Sequence, residues 1–175
     1  MRVQITKRKD GDTVLKCVRD DGTVTWQKQQ GQHARFFPLH DLTHFAVESE
    51  LTLGSGFFGL LAMGWDIDET GQRGVAAQMP SESLFAENVV GTLDSERASM
   101  ARWTADEFNE NIARHLAKGG RTPTKILSDE DLARIRKRRA ELFEQWHELP
   151  EGETLELEFT PRPERILPRP QPLSK

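Results

Sequence analysis

The chain is predicted to fold as an α+β protein, a small antiparallel sheet packed with about five helices. Three observations carry that expectation. The N-terminus alternates apolar and polar residues between Asp-Gly pairs. The middle repeats its apolar residues at helical spacing behind capping motifs. A last alternating run lies near the C-terminus.

Residues 2–28 read as a three-stranded meander. Val3 and Ile5 alternate with polar neighbours, Thr13–Val18 forms a second run, and Thr23-Val24-Thr25-Trp26 a third. Asp10-Gly11 and Asp21-Gly22 separate them, and Asp-Gly suits a tight hairpin because both turn residues need positive φ. Residues 29–35 read as a linker. Pro38 then opens a helix to Glu50, since its missing N–H costs nothing in a first turn. Gly54-Ser55-Gly56 breaks the chain. Phe57–Trp65 is apolar nearly all round and reads as a buried central helix. Residues 66–78 read as a loop and Ser81–Leu93 as a third helix. Thr104-Ala-Asp-Glu107 and Ser128-Asp-Glu-Asp131 open two more, the first ending at Gly119-Gly120 and the second near Leu149. Thr154–Thr160 alternates Leu155, Leu157 and Phe159, and is expected to pair with the meander. The reading is therefore one domain over residues 1–160, with a Pro-rich basic tail at 161–175.

Composition narrows the function classes. Apolar residues make up 36% and charged residues 30%, which is a globular balance. A net charge of −4 gives no global argument for a nucleic-acid partner. The basic N-terminus has no apolar stretch behind it, so it does not read as a signal peptide. The apolar run at 57–65 is too short to span a bilayer. Cys17 is the single cysteine, so no internal disulfide forms. A cytoplasmic location is the default expectation, and a homo-oligomer is left open.

Most of the chemical information lies in His40-Asp-Leu-Thr-His44-Phe-Ala-Val-Glu48. Histidines at i and i+4 lie one turn apart on one helical face, so both imidazoles reach one metal ion. Glu48 falls within about 80° of His40 on the helical wheel and can join them. Asp41 lies on the same flank and is the candidate general base. If helices 38–50 and 57–65 form an antiparallel hairpin, Asp66 and Asp68 emerge near His40 as further ligands or orienting partners. A nearby helix N-terminus favours the neutral, metal-binding form of His40. Two histidines one turn apart also occur on ordinary solvated helices, with Asp41 and Glu48 as plain polar-face residues.

The string resembles the His-Glu-x-x-His motif of zinc metallopeptidases, with Asp41 where those enzymes carry glutamate. It also resembles a His-Asp-x-x-His motif of a helical ubiquinone-biosynthesis family, although an N-terminal meander does not belong to an all-helical protein.

Other signals are weaker. Gly54-Ser55-Gly56-Phe57-Phe58-Gly59 matches a dinucleotide-binding pattern in letters. It follows a helix rather than a strand, so a helix break with close packing fits better. Cys17 reads as a small buried hydrophobe. Arg134–Arg139 reads as a salt-bridged solvated helix, with an RNA contact as the sharper alternative. His115 and His147 sit on separate helices, and Trp26, Trp65, Trp103 and Trp146 read as core or interface anchors. The leading expectation is a metal-binding protein or metal-dependent hydrolase, with zinc the favoured divalent metal and the substrate, small molecule or peptide, unspecified. Its rival is a non-catalytic binding or assembly module with no metal.

Overall fold

The structure, a computed structural model, describes residues 1–71 and 79–160. The meander forms β1 (Arg2–Lys7), β2 (Thr13–Val18) and β3 (Val24–Gln29), and β4 (Thr154–Glu158) adds to its open side. All neighbours are antiparallel, in the order β3-β2-β1-β4. Val3 lies opposite Cys17 and Leu157, and Ile5 opposite Leu15 and Leu155. That register puts Val3, Ile5, Leu15, Cys17 and Leu157 on one buried face, as period-two alternation requires.

There are six helices among the described residues, α1 (Gln32–Leu51), α2 (Phe57–Ala62), α3 (Ile67–Thr70), α4 (Ser81–Ser99), α5 (Ala105–Ala117) and α6 (Asp129–Glu148), of which α1, α2, α3 and α6 pack on that face. The capping boxes form at both expected starts, Thr104 with Glu107 and Ser128 with Asp131.

Four details depart from the sequence reading. First, α1 begins at Gln32, inside the expected linker, and Pro38 lies within the helix. Pro38 removes the bond to the Ala34 carbonyl. Ring contacts one turn apart, His33 on Phe37 and Phe36 on His40, bridge that gap. Second, the 57–65 run is buried as expected but helical only to Ala62, and α1 is buried beside it. Every residue from Asp41 to Glu48 is buried. The helix stops at Ala62, and Gly64 turns the chain at φ +100°. Third, the expected loop begins with the single-turn α3, capped by Asp66 and Glu69. Fourth, α4 runs on past Leu93 to Ser99. Residues 72–78 and the 161–175 tail lie outside the described residues.

Two apolar cores meet at α1. Leu42, Phe45 and Ala46 pack toward the sheet with Phe58, Leu61 and Trp146. Val47 and Leu51 pack toward Phe85, Val89, Phe108 and Leu132 of α4, α5 and α6. Arg19, at the end of β2, ties the α2–α3 corner to the sheet by donating to the carbonyls of Leu61 (2.6 Å) and Trp65. No helix among the described residues is long and apolar enough to cross a membrane.

Two glycines separate close packing from mere flexibility. A Cβ on Gly59 would lie well inside contact distance of the Gly54 carbonyl, whereas one on Gly91, on the exposed side of α4, meets nothing within 4 Å. Gly59→Ala is expected to cost about 1–3 kcal/mol by overpacking. Gly91→Ala should gain about 0.5–1 kcal/mol from helix propensity. Urea denaturation of the two variants beside the wild type checks both signs.

Candidate metal centre

His40 and His44 project from the middle of α1 with their rings edge to face, 4.9 Å apart between centroids. Each imidazole is held from behind by a carboxylate on Nδ1. Asp94 of α4 lies 2.8 Å from His40 Nδ1, and Glu48 of α1 lies 3.2 Å from His44 Nδ1. The Nε2 atoms are therefore the ring nitrogens left for a ligand. His44 Nε2 faces the Glu87 carboxylate of α4 at 3.6 Å. One ring nitrogen of each histidine and one oxygen of Glu87 lie within 4.8 Å of one another, the one such grouping among the described residues.

The backbone around Glu48 explains why it turns inward. Its Oε2 accepts the Gly59 N–H at 3.2 Å, and Gly56 leaves room for the carboxylate that any Cβ would take away. The Gly54-Ser55 amides that begin the pattern both donate to Glu82 Oε2, at 3.0 and 2.8 Å. The glycine-rich letters thus serve carboxylates of this chain and close helix packing.

Burial sets the electrostatics. Asp41, His44 and Glu48 expose 4%, 2% and 1% of their surface. Burial alone would lower the His44 pKa, but Glu87 and Glu48 outweigh it and hold the imidazole at about 10. Burial raises the Glu48 carboxyl, against the pull of His44 and the Gly59 amide. Partial desolvation works to raise the half-exposed Glu87, but facing His44 it titrates below the usual range. The Asp41 carboxyl is pushed by burial up to about 6, against His40, His44 and a 3.4 Å hydrogen bond from the buried Gln29 amide.

A cavity of 460 Å³ opens over these groups, with Asp41, His40, His44 and Glu87 among its walls. Asp66 and Asp68 stand elsewhere. Asp66 caps α3 and pairs with Arg19 at 3.1 Å, and exposed Asp68 accepts from Gln27 at 3.5 Å. Their displacement follows from α2 being only one and a half turns long and leading into a corner, where a full hairpin arm was expected. His40 also sits more than two turns inside α1, beyond the reach of the helix N-terminus.

Glu87 and Asp94 escaped the sequence reading. Their one visible signal is a seven-residue spacing, which places both on one face of α4. The Arg134–Arg139 run is largely tied up in contacts within the fold, with Arg134 itself exposed. Arg136 pairs with buried Glu96 and donates to the Trp103 carbonyl, Arg139 donates to the Leu93 carbonyl, and Arg134 pairs with Asp131 and Glu50. His115 and His147 are exposed on α5 and α6.

Comparison with known protein families, with curated proteins and with solved structures returns no match to this chain.

The His44 arrangement fixes a pH dependence for the metal-free protein. Its folded-state pKa lies above the unfolded value of 6.5. The stability it contributes is fully present below pH 6.5 and is lost as the pH rises toward 10. The chelator-treated protein is expected to lose stability over that window, and His44→Gln should flatten the loss. Urea titrations at intervals between pH 6.5 and 10 measure it.

Proposed function

We propose that the chain binds a divalent metal ion, with zinc favoured, through His40, His44 and Glu87, and uses it in hydrolysis. The observation that carries this reading is the convergence of two imidazoles and a carboxylate at a cavity wall, each imidazole backed by a carboxylate on its far nitrogen. Two histidines and one carboxylate are a known catalytic zinc set. Carboxylate backing fixes the tautomer and raises ligand basicity, as partners of metal-bound histidines do.

The surrounding charge supports a cation. Asp41, Glu48, Glu87 and Asp94 crowd two imidazoles, and the buried positive charge now on His44 partly offsets them. A metal ion would take over that role, releasing the His44 proton as it binds. When bound it would supply Lewis acidity and an activated water. Within that scheme Glu48 and Asp94 are positioning residues. Asp41, buried at the cavity wall with a pKa near 6, suits proton acceptance close to neutrality.

A second reading rests on the same ion pair. His44 between Glu48 and Glu87 is satisfied without metal, as a structural charge cluster in a non-catalytic binding module would be. Elemental analysis of untagged protein separates the two. Near-stoichiometric zinc is expected in the wild type, and loss of it in His44→Ala and in Glu87→Ala. Asp41→Asn should retain the metal, because its carboxylate is outside the convergent set. Absence of metal from the wild type, with no change in melting temperature on adding zinc, would leave the structural cluster as the function of these residues.

A further inference from the structure

The walls of the same cavity carry information that the metal ligands do not. Its apolar lining comes from five elements and one loop residue: Leu15 of β2, Phe37 of α1, Phe57 of α2, Ile67 of α3, Leu84 of α4, and Met79. Phe57 lies 5.4 Å from the His44 ring, and Phe37 lies 6.1 Å from the His40 ring. The apolar wall therefore begins directly beside the imidazoles. Gln27 and Thr70 add uncharged hydrogen-bonding groups to the lining.

Among the described residues, carboxylates outnumber cations at the cavity, where His44 is the one group carrying positive charge. Asp41 and Glu87 line it, Glu48 and Asp94 stand behind the histidines, and no lysine or arginine lines it among the described residues. Sites that hold phosphate or carboxylate groups present arginine forks, lysines or helix N-termini to them. Here Glu87 converges with the imidazoles while Asp41, Glu48 and Asp94 stand near them, so a dication would be largely offset and would not leave the site strongly attractive to an anion. The volume of 460 Å³ falls within the range of small-molecule sites. A cavity of about 150 Å³ already takes a benzene ring.

We infer that this cavity selects an uncharged substrate carrying an aromatic or branched apolar group, such as a neutral amide or ester, and rejects anionic analogues of the same shape. As a statement about substrate it rests on the proposed hydrolytic site. As a statement about binding it stands on the walls alone, and the two separate by experiment.

Phenylacetamide, phenylacetate and phenyl phosphate are the probes. Each is titrated into full-length protein, chelator-treated and zinc-loaded, and followed by ligand-induced chemical-shift changes in protein NMR spectra. Phenylacetamide is expected to bind both forms at millimolar concentration and to shift resonances of Phe57 and Leu84. The two anions should bind the chelator-treated form about tenfold or more weakly, and should not overtake the amide on the zinc-loaded form. Leu84→Lys, which places a cation in the wall, should narrow the difference. Anion binding equal to or tighter than amide binding would overturn the inference, as would failure of all three probes to shift cavity resonances. Amide preference in a protein that takes up no zinc would keep the binding selectivity and remove the metal. Zinc uptake with anion preference would do the reverse.

Discussion

Three ionisable side chains buried on one helix set the terms for this fold. Asp41, His44 and Glu48 all lie on the inner part of α1, where a charged group without partners costs several kcal/mol. The structure meets that demand locally. Glu48 takes the Gly59 amide and His44, His44 reaches Glu87, and Asp41 is left with a single amide from Gln29. Each solution constrains a neighbour. Glu48 requires glycine at position 56 and fixes where α2 can begin. His44 requires the Glu87 face of α4 to lie against α1. Gln29 must turn inward from the end of β3, where the Thr13 hydroxyl of β2 donates to its side-chain Oε1 at 3.2 Å.

A comparison within the molecule shows what is unusual about the arrangement. Glu96 and Arg136 form a second buried pair, joining α4 to α6, and the Trp103 amide and carbonyl complete their hydrogen bonding. That pair is balanced: one carboxylate, one guanidinium. The α1 cluster is unbalanced toward negative charge and borders a cavity. A purely structural network gains from closing itself off and matching its charges, because unmatched buried charge only raises the cost of folding. The excess of carboxylates over cations at a wall is what a site for a cationic ligand requires. This contrast, more than the histidine spacing, separates the α1 cluster from the staples elsewhere in the fold.

The sequence made the sheet and most helix starts legible, because those depend on local chemistry. Asp-Gly turns, alternation and capping boxes act within a few residues, and the meander, α5 and α6 begin where those signals stand. The burial of α1 was missed for a definable reason. Phe57–Trp65 is apolar nearly all round, and its helical part is buried as that pattern implies. Residues 40–48 contain His40, Asp41, His44 and Glu48, and look half solvated. Burial of α1 depends on groups that compensate those side chains from α2 and α4, and such compensation leaves no periodic trace. Pro38 misled in the same direction, since a proline usually opens a helix. His40 and His44 were visible as a pair from their spacing. Glu87 and Asp94 were not, because an i, i+7 acidic pair is ordinary on a helix until the helix opposite is known.

The geometry of α1 also explains how one element serves both packing and chemistry. Its leucine, phenylalanine and valine side chains divide between the two cores, which leaves one stripe facing neither. A fully apolar stripe there would have closed the cavity, and a fully solvated one would have needed α4 further away. Imidazole fits between those extremes. It packs as a ring against Phe37 and Phe57, and it keeps two nitrogens for different tasks, one toward a carboxylate and one toward the cavity. Replacing the pair with glutamine would keep hydrogen bonding and lose both the ring contacts and the strong metal affinity of imidazole nitrogen. The stripe is thus built from the residue type that satisfies a buried, aromatic-walled position while still offering a donor atom to a ligand.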